Sequence, residues 1–524
     1  MNKNQARVIS LLSAAIFLLA FLISGRLFFR LDLTKNKAYT ISEVSRNLYK
    51  EIYDQVRITY FVSEKLRQAH PMPGEIADLL REYAANSRGK IRFFQKDPAK
   101  AGLMQAVEDL GIEPQQIQLA EQNEITVATV YSGILIEYLD REMVIPVVFS
   151  LDTLEYDLSS RIRSLVRNVE REIGVIVADS YSQWETEYGI LNEELAFAGF
   201  RVRLIKAGDY IPGSLPALFV FGGVEDLDEE QLLPIDNYII GGGNVLFALD
   251  GVFVDTRRAF EARAMQDRGL LAMLAEYGVI VPAALVNDVL ALNITFQTQS
   301  RNGTVIQTMR YPQWLGIPGQ MGNPDHPLTA RFMGLDLYWA SPLELDPPQG
   351  VSADILFSSS PQAWLQIQRF VTNPNYYSQF EDEAGYTRGT KILGASLSGI
   401  FPSAFHWRSE PVLRKPSRLI VVGNSHFAGS IMQANRGEER NLDFLIKAAD
   451  WLSNDEDIVA IRSRQAQAGR LDRIADRVKR NRAMAFSRTI NTIVIPLGVV
   501  LAGLFLNWKR KVKTSKDKGY SVDV

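Results

Sequence analysis

The sequence contains no cysteine, which excludes disulfide bonds, thiolate metal sites, CxxC redox chemistry and a cysteine nucleophile. It has only four histidines, and none lies four residues from another or in an HExxH pattern. No GxxxxGK(S/T) motif occurs, so the chain is not itself a P-loop ATPase. The formal net charge is only −3, and the middle of the chain has no basic patch that would attract nucleic acid. We therefore expect no metal, no cofactor and no nucleic-acid partner.

Long uncharged apolar runs are present near both ends of the chain. The run "VISLLSAAIFLLAFLISG" begins at Val8, and with the following "RLFF" it is long enough to cross a hydrocarbon core of about 30 Å. The run "TINTIVIPLGVVLAGLFLNW" ends at Trp508 and is followed by "KRK", which suits a membrane interface. These runs predict transmembrane helices at residues 8–29 and 489–508; a cleaved signal peptide is the alternative for the first. Two crossings would place both termini on one side of the membrane, and charge bias does not say which.

The first part of the intervening sequence predicts a small α/β layer. Thr40 followed by Glu43 is a capping-box pattern, which predicts that a helix begins at this point. A strand "VRITYFVS" (56–63), a helix, a second strand, a hairpin and the helix "LSSRIRSLVRNV" follow in order. This order resembles thioredoxin, and without cysteines such a layer serves only binding or packing.

A second series of elements begins at Ile173 with the apolar strand "IGVIVAD". Short apolar strands then alternate with helices, which predicts a doubly wound parallel sheet. The rhythm breaks over residues 287–394, which are polar, β-prone and rich in proline and glycine turns, and it returns with "SRLIVVGNS". We interpret residues 287–394 as an insertion of mixed, partly β structure.

Polar residues follow several strands of this predicted sheet. Ligands of open α/β sheets bind outside the carboxyl ends of the strands. The predicted ligand crevice therefore contains Asp179, Ser180, Tyr181, Gly222, Gly223, Asp250, Asn424, Ser425 and His426. Ser425 lies outside a GxSxG motif, and on an extended segment His426 would point to the opposite face. We expect a non-catalytic crevice, with no catalytic residue.

The glycine-rich segment "GGGN" (241–244) invites comparison with a phosphate-binding loop. A dinucleotide fingerprint follows a strand and opens a helix, whereas this segment follows a predicted helix and opens a strand. A helix C-cap with a tight turn is the simpler interpretation.

Several segments, taken in order between the two terminal apolar runs, resemble the GldG-type auxiliary proteins of ABC transporters, a family first associated with bacterial gliding motility. They are "RLDLTKNKAYTIS", "LEYDLSSRIRSLVR", "PIDNYIIGGGNVLFALD", "RLIVVGNSHF" and "LDFLIKAADWLSNDEDIVAIRSR". The sequence departs from the family at Asn424 and His426, where the family often has acidic residues. The family's distinctive motif lies just after the first apolar run and comprises Leu31, Asp32, Leu33, Thr34, Lys37, Tyr39 and Thr40. We expect a structural role for this motif.

The resemblance implies a two-pass protein of the cytoplasmic membrane, with the bulk of the chain outside the cytoplasm and with a permease and a separate ATPase as partners. The fold class that we predict is α/β, with a thioredoxin-like layer, a glutamine-amidotransferase-like parallel sheet and a transmembrane helix at each end. The expected division is a cytoplasmic N-terminus (1–7), a transmembrane helix (8–29), a thioredoxin-like domain (31–170), a sheet domain in two parts (171–286 and 395–460) around the insertion (287–394), a helical stalk (461–488), a transmembrane helix (489–508) and a basic cytoplasmic tail (509–524) that touches membrane lipid.

The predicted function is that of a non-catalytic auxiliary subunit of an ABC-type transport system. Its large domain would bind a substrate or an envelope partner and couple to the permease. The alternative is an envelope hydrolase or sugar-binding enzyme that uses the strand-end crevice.

Overall fold

The computed structural model describes residues 41–461, except for 122–123, 152, 169–170, 179–183, 223–226, 266–268, 301–302, 331, 380–386, 406–413, 436–437 and 454–460. All of these residues belong to one compact unit, Met1–Ala466. The predicted apolar spans at 8–29 and 489–508, the family motif at 31–40 and the basic tail lie outside the described residues, as does all of the predicted stalk but residue 461.

The first region of the chain is a four-stranded sheet with helices on both faces. Its helices are α1 (Glu43–Glu51), α2 (Glu64–Ala69), α3 (Met72–Asn86), α4 (Pro98–Ala101), α5 (Met104–Asp109) and α6 (Leu154–Arg167). Its strands are β1 (Val56–Val62), β2 (Ile91–Lys96), β3 (Gln115–Glu121), β4 (Glu124–Val130), β5 (Ser132–Tyr138) and β6 (Arg141–Ile145). The order in the sheet is β2-β1-β5-β6, and β3 and β4 form a separate hairpin. Strand β1 pairs in parallel with β2 and antiparallel with β5.

Both faces of strand β1 are covered. Because successive side chains of a strand point to opposite faces, Val56 and Ile58 enter a core shared with α1, α3 and α6. Phe61 belongs to a smaller core on the other face, where Val107 of α5 packs. The strand is therefore apolar almost throughout, as its sequence "VRITYFV" shows.

Helix α1 begins two residues later than the capping-box pattern predicts. The N-cap is Ser42, whose hydroxyl accepts a hydrogen bond from the backbone N–H of Ser45 at 3.1 Å. The backbone N–H of Ser42 in turn donates to the buried carboxylate of Glu155, at 2.7 Å. The prediction of a cap at Thr40 was wrong, because a tertiary contact from α6 fixes where this helix starts.

The second region is built on a seven-stranded sheet. Its strands are β7 (Glu172–Ala178), β8 (Arg201–Leu204), β9 (Ala217–Gly222), β10 (Val245–Leu249), β19 (Val351–Ser358), β21 (Ile392–Gly399) and β22 (Ser417–Val422). The order is β19-β21-β22-β10-β9-β7-β8. The five strands from β22 to β8 are parallel, whereas β21 runs antiparallel to both of its neighbours, β22 and the edge strand β19. Every residue of β9 and β10 is buried, which is typical of parallel strands covered on both faces.

Helices cover the faces of this sheet, namely α7 (Trp184–Glu187), α8 (Gly189–Phe197), α9 (Glu229–Ile240), α10 (Leu270–Glu276) and α11 (Glu438–Leu452). Helix α9 ends at Ile240 with Gly241 as its C-cap, and β10 begins at Val245. The "GGGN" segment is thus the helix-to-strand turn that its position predicts.

Short strands form several small sheets beside the large one. They are β11 (Val252–Asp255) with β12 (Glu261–Ala264), β13 (Val279–Ile280) with β18 (Glu344–Leu345), β14 (Leu285–Asn287) with β20 (Trp364–Gln366), and the three-stranded set β15 (Ala291–Ser300), β16 (Gly303–Pro318) and β17 (Gly334–Tyr338). Short 3-10 helices occur at Gly319–Met321, Pro374–Gln379, His426–Ala428 and Ser430–Asn435.

These findings correct the predicted fold class. The described chain is a mixed α/β structure with several small sheets, and its largest sheet combines parallel and antiparallel pairs because β21 pairs antiparallel with both β22 and β19. Within residues 41–461, none of the described helices has the length and apolar character that a membrane crossing requires. The predicted transmembrane helix at each end, and with it the predicted two-pass location in the cytoplasmic membrane, therefore has no counterpart among the described helices.

Helix α6 is the element on which the two regions meet. Its residues from Leu154 to Arg163 are all buried. Tyr156 donates a hydrogen bond to Asp450 of α11 at 2.8 Å. Arg161 donates to the carbonyl of Val144 in β6 at 3.1 Å and to a carbonyl at the end of α8. Burial lowers the pKa of the Arg161 guanidinium from its ordinary value. A helix buried on all sides by two regions fixes one against the other.

A second buried cation reinforces this junction. Arg171 forms an ion pair with Asp450, which is fully buried. It also donates to the carbonyl of Ala198 at 2.7 Å, and its guanidinium lies 3.8 Å from the centre of the Phe200 ring. The buried carboxylate of Asp450 thus accepts a hydrogen bond from Tyr156 and forms an ion pair with Arg171, so its negative charge is compensated within the fold.

Candidate functional site

The carboxyl ends of the central strands bring part of the predicted crevice together. Asp250 follows β10 directly, and Asn424, Ser425 and His426 follow β22, which is its parallel neighbour. Gly222 ends β9, the neighbour on the other side. The remaining predicted residues, Asp179, Ser180, Tyr181 and Gly223, lie outside the described residues.

Asp250 is the centre of this group. Its carboxylate accepts hydrogen bonds from the backbone N–H of Ser425 at 2.9 Å and from the side-chain amide of Asn424 at 3.2 Å. It also accepts a hydrogen bond from the hydroxyl of Ser425. Burial raises the pKa of this carboxyl above its ordinary value, although His426 and the hydrogen bonds act in the opposite direction. The carboxylate is therefore occupied by its own neighbours in the fold.

Ser425 and His426 do not form a nucleophile and base. The hydroxyl of Ser425 donates to Asp250, whereas the ring of His426 packs edge to face on Trp339, with the ring centres 5.5 Å apart. In a serine hydrolase the histidine lies between the serine and the acid, takes the serine's proton and is oriented by the acid. Among the described hydrogen bonds, none joins Ser425 to His426. The arrangement lacks the relay that acyl transfer needs.

The space outside these strand ends is filled by the chain itself. The side-chain amide of Asn424 pairs with the backbone of Tyr338, accepting from its N–H at 3.1 Å and donating to its carbonyl at 2.6 Å. The N–H of Ser341 donates to the carbonyl of Gly423 at 2.7 Å. The hydroxyl of Ser341 accepts from the N–H of Gly251 at 2.9 Å. We call residues 338–341 the plug segment.

Two glycines admit the plug segment. A Cβ atom at Gly423 would overlap the carbonyl oxygen of Ser341, and one at Gly251 would overlap the carbonyl of Pro282 and crowd the hydroxyl of Ser341 at 2.9 Å. No sequence pattern marks either glycine as special. Gly423 directly follows β22, and Gly251 follows Asp250 at the end of β10. The close approach that requires them is a long-range contact.

Within the plug segment, Trp339 has an unusual backbone conformation. Its φ is 59°, a left-handed value that bulky residues rarely adopt, and its side chain is fully buried. The indole N–H donates to the hydroxyl of Tyr311 at 3.0 Å, and the ring also packs against Phe260 and Trp314. Dense packing and a satisfied hydrogen bond hold this strained residue in place.

Among the described residues, no group of three or more histidine, aspartate or glutamate side chains is placed to hold a metal ion. The buried acids instead have protein partners; Asp236, for example, accepts from Tyr277 at 2.7 Å and from Ser403 at 2.8 Å.

Comparison with protein families gives two matches. A family model described as "ABC-type uncharacterized transport system" matches residues 170–454, and one described as "Domain of unknown function (DUF7088)" matches residues 35–137. A protein of Borreliella burgdorferi, named only "Uncharacterized protein", is 26% identical over 528 residues, covering 98% of this chain and all of the relative.

Comparison with solved structures gives weaker matches. The mmIFT52 N-terminal domain is 14% identical, with a TM-score of 0.33, over 53% of this chain and 96% of that one. A putative ThuA-like protein from Parabacteroides merdae is 12% identical, with a TM-score of 0.28, over 54% of this chain and 89% of that one. The exo-beta-1,4-mannosidase Op5Man5 from Opitutaceae bacterium strain TAV5 is 11% identical, with a TM-score of 0.23, over 73% of this chain and 49% of that one. At these TM-scores the similarities carry no argument.

Proposed function

The chain belongs to the ABC-type transport system family whose model it matches over residues 170–454, and from that premise we propose that it is a non-catalytic component that acts by protein contact. An ABC-type system contains a permease and an ATPase, and these are the partners that we propose for it. In this proposal the chain binds the permease and the ATPase through its surface and does not catalyse a reaction.

One observation carries this proposal, namely the state of the strand-end crevice. The carboxylate of Asp250 accepts hydrogen bonds from Asn424 and Ser425. The plug segment occupies the space where a ligand of an open α/β sheet would lie. A small substrate at this position would have to displace buried backbone and the Trp339 ring. We therefore propose that Asp250, Asn424 and Ser425 have a structural role.

We also propose that the chain is one of the GldG-type auxiliary proteins. Support comes from the segments that resemble this group: "LEYDLSSRIRSLVR" is the whole of helix α6, and "LDFLIKAADWL" makes up most of α11. Both helices carry the buried contacts between the two regions. The division into a first domain of 31–170, a sheet domain and an insertion of 287–394 is part of the same proposal.

The test is co-purification from mild detergent of the full-length chain expressed with the permease and ATPase of an ABC-type system from the same cell. We expect both partners to be retained by the parent chain and equally by Ser425→Ala, since this serine does not reach the surface contact that we propose. A parent chain that purifies without either partner would contradict the proposed function. A stable Ser425→Ala chain that keeps its partners but loses a measurable hydrolytic activity would favour the hydrolase instead.

A further inference from the structure

A groove on the first region carries a concentration of positive charge. It has a volume of about 630 Å³ and lies between α1 and the end of α3. We call it the basic groove, and its lining residues are Glu43, Arg46, Asn47, Tyr49, Lys50, Asn86, Ser87, Arg88 and Lys90. Four cations thus face one carboxylate in a chain whose net charge is −3.

The four cations are not neutralised by acids of the fold. Among the described residues, none of them forms an ion pair, whereas exposed arginines nearby in the same region do, such as Arg67 with Glu64 and Arg81 with Asp78. Arg46 donates instead to the carbonyl of Ile41 at 3.0 Å, and Lys90 to that of Tyr49 at 2.8 Å. Bonds to neutral oxygens leave the net charge of the groove available to a partner.

Stability explains some of these cations but not Arg88. Lys50 lies in the last turn of α1, where a cation favours the helix dipole. Arg88 has a φ of 55°, a conformation that glycine or asparagine adopts more easily, and its exposed side chain makes no hydrogen bond within the described part of the chain. An arginine that strains the backbone, and that forms no hydrogen bond or ion pair among the described residues, indicates a role outside the fold.

The layout of the groove favours a macromolecular partner over a small anion. A phosphate or carboxylate site needs donors that converge on one point, generally with some burial. Here Arg46, Lys50 and Arg88 are exposed and come from two separate elements. Separated, unpaired charges on an open surface instead provide electrostatic complementarity along a length of chain.

We propose that the basic groove docks an acidic segment of the transport complex, made of the permease and its ATPase. This inference rests on the proposed function, because it names the surface through which that contact is made. The charge of the groove supplies the specificity, and the two helices that line it supply a rigid frame.

The test measures the affinity of the purified permease and ATPase complex for the full-length chain. We expect Lys50→Glu with Arg88→Glu to weaken binding about tenfold or more, because two reversed charges would face the acidic segment. The matched control is Arg92→Glu with Lys96→Glu, which makes the same charge change at exposed positions of β2 outside the groove and should bind as the parent does. Parent binding should weaken between about 50 mM and about 500 mM salt, since the charges are exposed.

A second variant separates binding from folding. Arg88→Asn removes one charge and also relieves the left-handed backbone, so it should be at least as stable as the parent yet bind about twofold or more weakly. Equal binding of the parent and of the double charge-reversal variant would overturn the inference alone. Failure of the parent to bind the complex at all would overturn the proposed function and the inference with it. Displacement of the complex by inorganic phosphate as readily as by a glutamate-rich peptide would assign the groove to a small anion and would also overturn the proposal.

Discussion

The strand-end crevice and the basic groove treat their polar groups in opposite ways. In the crevice, Asp250, Asn424 and the backbone of Tyr338 satisfy one another, and the chain fills the space that a ligand would need. In the groove, Arg46, Lys50 and Arg88 stay exposed, with no acid of the fold paired to them among the described residues. A buried polar group must be paired within the fold, because an unpaired one costs about 1–3 kcal/mol. An exposed charge has no such constraint and can serve a partner.

The position of a site in a fold is therefore a weaker guide than the state of its hydrogen bonds. The crevice lies where ligands of open α/β sheets bind, yet the polar groups of Asp250 and Asn424 are already hydrogen-bonded within the fold. The groove lies at no special point of the topology, yet its charge is available.

The largest expected effect concerns the buried charge that joins the two regions. Asp450→Ala leaves Arg171 buried without its ion pair and removes the acceptor of Tyr156, and breaking a buried pair in this way costs about 3–5 kcal/mol. The free energy of unfolding by denaturant measures the loss. The control is Arg201→Ala, which breaks an exposed pair with Glu172 and should cost about 1 kcal/mol or less. Equal losses for the two variants would mean that burial does not set the value of these pairs.

The next effect tests how tightly the plug segment closes the crevice. Gly423→Ala places a methyl group against the carbonyl of Ser341, and overpacking of this kind costs about 1–3 kcal/mol. Gly189→Ala is the matched control, since a methyl group there meets no atom within 4 Å. Thermal melts of the two variants should differ clearly. If Gly423→Ala melts with the parent, the crevice has room that the structure does not show.

The smallest effect is a change in pH dependence at Asp250. Its folded pKa is raised, so the folded state binds a proton more tightly than the unfolded state, and this group's contribution to stability falls as pH rises above about 4. Asp250→Asn removes that contribution, and its amide N–H can donate to the hydroxyl oxygen of Ser425, in place of the bond that the carboxylate accepts from this hydroxyl. We expect the stability of the variant relative to the parent to increase as pH is raised from about 4. A difference that is constant with pH would show that Asp250 does not titrate above its unfolded pKa.

Parts of this fold follow directly from the sequence. The segment "VRITYFVS" predicts a strand over residues 56–63, and β1 is Val56–Val62, because an apolar run of this length suits a strand covered on both faces. The meeting of Asp250 with Ser425 also follows, since both end neighbouring parallel strands. These predictions use local pattern and one rule of sheet topology.

Other parts depend on contacts between distant residues. The plug segment is held by Asn424, which is 86 positions from Tyr338 along the chain, and no local pattern marks that pairing. The cap of α1 lies at Ser42 because Glu155 reaches it from α6. The basic groove does not follow from the sequence, because its cations come from helix α1 and from the turn after α3, which are separated in sequence and form no charge run. The signal that was available is the arginine in "SRGK", where a turn residue is expected.

The central claim is that the strand-end crevice is closed by the chain's own core, and hydrogen exchange of the peptide that contains residues 335–343 tests it most directly. The backbone N–H groups of Tyr338, Trp339 and Ser341 are all donated within the fold. We predict that in the full-length chain they exchange as slowly as those of the buried strands β9 and β10, through global unfolding alone. Exchange of these amides at the rate of an exposed loop, while β9 and β10 remain protected, would mean that the crevice opens and would contradict the account.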